Sequence, residues 1–427
     1  MAYEGYVDLK YTPSKDDLIC RFYMEPRYGI SFERAASAVA AESSIGTWTD
    51  VQTSKPYIKR LAAHVFHLDP HSGYVDIAYP LDAFEPNNIP QMLSSVAGNV
   101  FGMKEVNNLR LYDIKIPKKM MQWYDGPMFG ISGVRKLLNV KTRPLLGTII
   151  KPKMGLNVRD HAKVAYEAWL GGCDIVKDDE NLASQKFNNF EKRVKETLKL
   201  RDKAEKETGE KKIYMPNITA SGKEMERRAK FVKDHGGEYV MVDIITVGWS
   251  ALQDLRDSNN KLKLVIHEHR AGHAAITRNP KHGISMLTIA KLTRMLGFDQ
   301  LHAGTIVGKM EGGLEEVQDV VSALKEKVTP AREKTFTLGQ DWYGVKPCFP
   351  VASGGLHPLM FPVITKFLGK DIILQAGGGI HGHPQGTRRG ARVARAVLEA
   401  VDQGIALEES KDPLVKEAIE IWGKHKF

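Results

Sequence analysis

The stretch Gly171-Gly-Cys-Asp-Ile-Val-Lys177-Asp-Asp179-Glu180-Asn-Leu182 is a short apolar run that ends in a lysine and three consecutive acids. It is one of eight such runs beyond Arg143; the other seven end near Lys151, Asn217, Asp243, His267, His302, Ser353 and Gln375. Amphipathic segments separate them, with helices expected at 159–170, 224–234, 285–295, 314–325 and 389–401. Eight strand-then-helix repeats over roughly 250 residues predict a (β/α)8 TIM barrel, placed with a terminal helix at 131–427. Strand C-termini in that fold converge on one face. Lys151, Lys177, Asp179, Glu180, His269, His302, Lys309, Ser353 and the glycines after Gln375 are thereby expected around one mouth.

Residues 1–130 have another texture. Strands are expected at 18–24, 62–66, 74–78 and 109–116, and helices at 32–41 and 88–96, with the turn-rich Asp69-Pro-His-Ser-Gly73 between the second and third strands. That order is a ferredoxin-like α+β domain.

A chain of 427 residues with net charge +10 is suited to polyanionic small molecules or to nucleic acid. The longest charged stretch, 191–212, mixes both signs as a solvated helix face does, and no aromatic residues interleave with basic ones. Nucleic-acid binding is therefore not expected. The three cysteines, Cys20, Cys173 and Cys348, lie far apart in apolar runs and read as core thiols of a reducing compartment. With neither an export signal nor a run of membrane-spanning length, the expectation is a cytoplasmic enzyme.

The chemistry concentrates at the strand ends. An ammonium has donors only and cannot ligate a cation, but a neutral lysine that adds carbon dioxide becomes a carbamate with the oxygens Mg²⁺ prefers. Lys177, Asp179 and Glu180 would then offer three oxygen ligands from one turn. The plainer reading is an acidic helix start complementing the helix dipole. Two glycine turns, Ser353-Gly354-Gly355 and Gly377-Gly378-Gly379, follow the seventh and eighth strands, the usual phosphate corner of a barrel. Arg270 and His302 are candidates for a second anion, so a bisphosphate is the natural substrate. His267 and His269 form an HxH pair that invites a zinc metallohydrolase reading, but there the pair usually opens the barrel, whereas here the first strand ends in Lys151-Pro-Lys153. His269 is read as an acid/base group, and His267 and His273 as structural. Desolvation and neighbouring positive charge are expected to depress the amines of Lys151 and Lys153 into an acid/base range. Lys309, between the glycines of Gly308-Lys-Met-Glu-Gly-Gly313, is read as a lysine on a closing loop.

These motifs, with Glu42-Ser-Ser-Ile-Gly-Thr47-Trp48, Gly98-Asn99-Val-Phe-Gly102, His269-Arg270-Ala-Gly-His273 and Gln375-Ala-Gly-Gly-Gly379, closely resemble the ribulose-1,5-bisphosphate carboxylase/oxygenase (Rubisco) large subunit along nearly the whole chain. The resemblance implies that Lys177 takes up an activator CO2 as a carbamate and binds Mg²⁺ with Asp179 and Glu180. Carbamylated Lys177 takes the C3 proton of ribulose 1,5-bisphosphate and the enediolate attacks CO2, with oxygenation by O2 as a side reaction. His269 assists proton transfer, Lys151 protonates the carbanion released with two 3-phosphoglycerates, and Lys309 stabilises the new carboxylate. It also implies substrate contacts by Glu42, Thr47, Trp48, Asn99, Lys153, Arg270, His302, Ser353, Gly354, Gly355, Gln375, Gly377 and Gly378. The N-terminal members of that set serve a neighbouring subunit, so a homodimer is the minimum unit; further assembly of dimers fits, and no small subunit is expected. A Rubisco-like enolase of methionine salvage is the alternative. Gly272, Ala376 and Leu356-His-Pro358 depart from the plant pattern. The compact ends and Met215-Pro-Asn-Ile-Thr-Ala220 resemble archaeal form III chains, which implies AMP or sugar-phosphate metabolism.

Overall fold

The computed structural model describes residues 3–307 and 313–423, and the chain divides into two compact units. One runs up to Asp125 and takes in Gly272–Leu296 and Glu326–Val345; the other comprises Gly126–Ala271, Gly297–Lys325 and the chain from Lys346.

In the first unit, strands Leu18–Pro26, His64–Asp69, Tyr74–Tyr79 and Val106–Lys115 form an antiparallel sheet with Leu18–Pro26 at its centre. Cys20 stands opposite Ile77 on one side and Ile114 on the other, a fully buried thiol as its apolar run required. Helix Phe32–Glu42 begins where Ser31 accepts the backbone N–H of Arg34, and its alanines 35, 36, 38, 40 and 41 are all buried. A short strand, Gly283–Ile284, joins the edge in parallel with Arg110–Leu111. Two residues give no periodicity to read, so the sequence does not announce it. Helix Met286–Leu296 is buried at every position, including Lys291 and Arg294.

Eight parallel strands make the second unit: Leu145–Ile149, Ile175–Lys177, Ile213–Met215, Tyr239–Asp243, Val265–His269, Gln300–His302, Phe349–Ser353 and Ile373–Gln375. Successive strands pair, the eighth pairs with the first, and the Asn217–Met241 bridge joins the third to the fourth. The expected TIM barrel is thus formed. The first and third strands stop at Ile149 and Met215, two residues before the expected ends; the Ile150 N–H still reaches the Lys177 carbonyl, whereas Pro216, directly after Met215, has no N–H for a ladder. The fifth runs past His267 to His269, because Asp243 on the fourth strand pairs with His269.

Helix Gly130–Leu138 closes the N-terminal end of the barrel. Its Ile131, Val134 and Leu138 pack on Leu145, Ile175, Ile213, Tyr239, Val265, Phe349 and Ile373, each the first residue of its strand. Full burial of each aliphatic side chain contributes about 1.5–3 kcal/mol. Asp299 Oδ1 accepts the N–H groups of Phe129 and Gly130 at that helix's start, at 2.6 and 2.9 Å. Burial pushes this carboxyl up to about 6, against the lowering effect of those N–H groups. The mixed-charge stretch folds as helix Phe190–Thr208, started by Asn189 and ended by Gly209 at φ 69°. Helix Ile244–Leu262 breaks at Gly248, φ 78°. Among the described residues no helix is long and apolar enough to cross a membrane.

Candidate active site

The second barrel strand delivers Lys177 at its last position, and the next three residues divide their work by direction. Asp178 turns inward: its carboxylate accepts from His161 Nε2 (3.0 Å), Tyr214 Oη (2.8 Å), Arg193 Nε (3.1 Å) and the Asn217 N–H (3.0 Å). Burial works to raise this carboxyl, but Arg193, His161 and the Asn217 N–H outweigh it and hold it at about 2. With Asp178 anchored, Asp179 and Glu180 remain at the mouth.

Lys177 is fully buried. Its Nζ donates to the Asp178 carbonyl at 2.8 Å and lies 3.5 Å from Met241 Sδ and 3.7 Å from Glu180 Oε2. Burial pulls the amine below the usual lysine range, opposed by the charges of Glu180, Asp179, Asp243 and Asp178. Both neighbouring carboxylates stay below their ordinary range despite burial, Asp179 through Lys151 and Asn181, Glu180 through Lys177 and His269.

Lys151 Nζ donates to Asp179 Oδ2 at 2.6 Å, and Lys153 is exposed. The expected surroundings of these two lysines were desolvation and positive charge; the partner of Lys151 is instead a carboxylate, and Lys153 is not desolvated. His269 Nδ1 faces Asp243 Oδ1 at 2.7 Å, with Nε2 3.7 Å from Glu180 Oε2. The Nε2 atoms of His302 and His267 meet at 2.9 Å, and His267 Nδ1 lies 3.0 Å from Gln300 Oε1. Burial pushes both imidazoles well below their ordinary range, helped for each by the charges of His269 and Lys177. Burial also brings the Arg270 guanidinium down to about 10, against the pull of Glu316. A side chain at Gly304 would lie 2.9 Å from Arg270 Nη2, so only glycine leaves that guanidinium its place.

At the phosphate corner, Ser353 ends the seventh strand and Gly354 and Gly355 take φ of 120° and 75°, a conformation that favours glycine. Gly377 lies against Lys151, whose Cε would be 3.1 Å from a Cβ there. Gln375 is buried, and neither atom of its amide has a hydrogen-bond partner among the described residues, which leaves it able to meet a ligand. Gly378 has open space where a Cβ would stand.

One barrel end thus brings together Lys151, Lys177, Asp179, Glu180, His269, Arg270, His302, Ser353, Gln375 and the two glycine turns. Glu42, Thr47, Trp48 and Asn99 lie in the other unit, where Glu42 Oε1 and Oε2 accept from Asn99 Nδ2 (3.4 Å) and Tyr3 Oη (2.9 Å) and Trp48 is 79% exposed. Lys309 lies outside the described residues. Asp243, the Asp178 cluster and Gln300 were not singled out from sequence. Asp243 had a signal, a polar strand end in register with His269; the Asp178 cluster had none, since His161 and Arg193 sit on helices whose rotation the sequence leaves open.

Among the described residues no three imidazoles, thiolates or carboxylates are grouped as a ready metal set. The donors nonetheless fit a hard cation on one condition, that Lys177 be converted from a donor into an oxygen ligand beside Asp179 and Glu180.

Residues 130–422 match the family described as ribulose bisphosphate carboxylase large chain, catalytic domain, and residues 5–120 match its N-terminal domain. The chain is 52% identical over 406 residues to the ribulose bisphosphate carboxylase of Methanosarcina mazei, covering 95% of each chain. With that of Methanocaldococcus jannaschii the identity is 51% over 428 residues, covering 98% of this chain and 99% of the other. Among solved structures, the dimeric archaeal Rubisco from Hyperthermus butylicus superposes with a TM-score of 0.94 at 45% identity, covering all of both chains. The octameric Rubisco from Pyrococcus horikoshii OT3, in complex with sulfate ion, gives 0.92 at 46% identity, covering 100% of this chain and 98% of that one.

Proposed function

The chain belongs to the ribulose bisphosphate carboxylase large-chain family, and from that premise we propose how its barrel mouth carries out the family's reaction. Its activity is the carboxylation of ribulose 1,5-bisphosphate. The observation that carries the residue assignment is the complete burial of Lys177 with its amine held towards the neutral form, one turn from two ionised carboxylates.

A neutral Lys177 amine attacks CO2; an N–C bond forms, a proton leaves the nitrogen, and the side chain ends as an anionic carbamate. That carbamate, Asp179 and Glu180 would hold Mg²⁺. Bound there, the ion supplies Lewis-acid polarisation of the substrate's C2 carbonyl and C3 hydroxyl. Lys177, now carrying an oxygen base, takes the C3 proton. His269, oriented through Nδ1 by Asp243, moves protons at Nε2 as the carboxylated intermediate is hydrated. After carbon–carbon cleavage Lys151 returns a proton to the carbanion, and Lys309 stabilises the new carboxylate. The Gly355, Gly377 and Gly378 turns, with Thr47 and Trp48 of a neighbouring subunit and Lys309, hold one phosphate; Arg270, His302 and Ser353 hold the other. Neutral His302 and charged Arg270 together supply donors without overloading a dry site with positive charge.

The homodimer is the unit this requires, with Glu42, Thr47, Trp48 and Asn99 completing the partner's site; dimeric and octameric relatives support a homo-oligomer, and we place no small subunit in it. We place the domain boundary at 130/131, oxygenation as the side reaction, the cytoplasm as the compartment, and AMP or sugar-phosphate salvage as the setting. Retention of Lys151, Lys177, Arg270 and Ser353, with relatives named as carboxylases, sets the enolase alternative aside. Labelled bicarbonate with ribulose 1,5-bisphosphate and Mg²⁺ tests the whole reading. Labelled 3-phosphoglycerate is expected from the native chain and none from Lys177→Ala; undiminished product from that variant would overturn the assignment of Lys177.

A further inference from the structure

The two glycine turns read substrate through backbone groups, so their spacing depends on what packs behind them. They touch each other directly. A Cβ at Gly379 would fall 2.3 Å from the Leu356 carbonyl oxygen and 2.7 Å from His357 Cα, so the turn after the eighth strand rests on the backbone of the turn after the seventh. Behind both lies the C-terminal helix Pro413–Trp422, started by Asp412, whose side chain accepts the Leu414 N–H, and seated by buried Val415 and Ala418. Its last residue, Trp422, stacks on the His357 ring with centroids 5.5 Å apart and planes 8° from parallel. The same indole comes within 3.9 Å of a Cβ built at Gly382, in the continuation of the other turn. Five residues earlier, Glu417 meets His383 Nε2 at 3.1 Å and the Arg389 guanidinium at 2.6 Å.

One helix therefore grips the segment after each glycine turn, by ring stacking on one and by a carboxylate on the other. We propose that this C-terminal helix is a brace for the substrate's phosphate site and that Trp422 is a positioning residue, fixing the distance between the Ser353–Gly355 and Gly377–Gly379 turns. The inference rests on the phosphate role given to those turns above. Trp422 meets the segments that follow the two glycine turns, so its effect should be confined to substrate binding. A brace of this kind acts by preorganising groups that would otherwise drift.

The test compares Trp422→Ala, Trp422→Phe, Glu417→Gln and Gly378→Val in the full-length oligomer. Gly378→Val points a side chain into open space at the turn and probes the phosphate reading itself. For Trp422→Ala the KM for ribulose 1,5-bisphosphate should rise about tenfold, the scale of losing a supporting contact behind a binding group, while kcat stays within about twofold. Glu417→Gln should move KM the same way by less, and Trp422→Phe, which keeps a stacking ring, should recover most of the native value. Labelled CO2 trapped on Lys177 in the absence of substrate should match the native protein in all four. A KM raised by Gly378→Val but unmoved by Trp422→Ala and Glu417→Gln would overturn the brace and leave the phosphate reading standing. An unmoved KM in Gly378→Val would overturn the phosphate reading, and the brace with it. A fall in kcat and in CO2 trapping with KM unchanged would show that the helix serves general stability only. If Trp422→Ala does not fold, Glu417→Gln decides by the same KM criterion.

Discussion

Lys177 at the barrel mouth and Lys291 in the N-terminal unit are both fully buried, yet their surroundings are opposite. The Lys291 ammonium meets Asp113 Oδ1 at 2.6 Å, the Ile114 carbonyl at 2.8 Å and the Leu338 carbonyl at 3.3 Å. Three acceptors answer its three N–H donors. Lys177 meets one carbonyl within normal range, a thioether that is a weak acceptor, and a carboxylate at 3.7 Å, beyond hydrogen-bond reach. An ammonium there would be under-solvated, so the proton is held loosely and a lone pair becomes available. Burial alone does not make a lysine reactive. Burial with mismatched partners does, and the mismatch is what a newly formed carbamate can repair.

Removing each lysine should sharpen that contrast, and the largest effect is chemical. Lys177→Met should lose both CO2 trapping and carboxylation, the latter by more than about 10⁴-fold, since a base and a ligand vanish together. Its melting temperature should nonetheless equal or exceed that of the native protein, because an under-solvated buried cation has been replaced by an apolar chain of similar length. A large loss of thermal stability with trapping intact would break the comparison. Next in size is Lys291→Met, which strands the Asp113 carboxylate in the interior. Burial already pushes that carboxyl above its ordinary range against the pull of Lys291. A loss of about 3–5 kcal/mol is expected in urea unfolding, partly recovered by adding Asp113→Leu, with the assembled enzyme keeping its turnover.

The difference between these lysines also measures how far sequence carries. Lys177 was legible because its neighbours are adjacent in the chain, and a lysine beside three acids at the end of an apolar run is conspicuous. The repeats that make the barrel were legible for the same reason: each strand-helix unit is local, and the helix 314–325 was placed to the residue. Lys291 was not legible. Its partner lies 178 positions away in sequence (291 − 113) on a strand of the sheet. Nor does the pattern of helix Met286–Leu296 reveal that all its faces are buried. The role of Asp178 was hidden for a related reason: in sequence it is one of three consecutive acids, and its partners Arg193, His161 and Tyr214, gathered from other elements, are what take it out of reach of a cation. Local pattern fixes elements and ligand-bearing turns; partners at long range decide which charges are spent on structure.

A smaller effect follows from a group whose pairing is matched for catalysis. Asp243 holds the Nδ1 side of His269, which leaves Nε2 to exchange protons near Glu180. Asp243→Asn keeps the shape but offers the imidazole the wrong partner for that tautomer, so kcat should fall about 10²-fold with KM little changed. The variant should trap CO2 on Lys177 as before; a loss of trapping would mean that Asp243 acts on Lys177 rather than on His269.

The smallest expected effect is the most direct probe of mismatch, because it follows the Lys177 proton itself. An amine whose pKa is depressed on folding weakens the fold while it is charged. The penalty is therefore full below the folded pKa and fades as pH rises from there towards about 10.4, the value in the unfolded chain. Lys177 is such a group. In CO2-free buffer, the gain in melting temperature of Lys177→Met over the native chain should be largest at low pH and should shrink towards zero near pH 10. For Lys291→Met, which breaks the Lys291–Asp113 pair, a stability deficit is instead expected throughout the neutral pH range. Parallel pH profiles for the two variants would show that both lysines are held alike, and the distinction between a reactive and a structural buried lysine would fail in this protein.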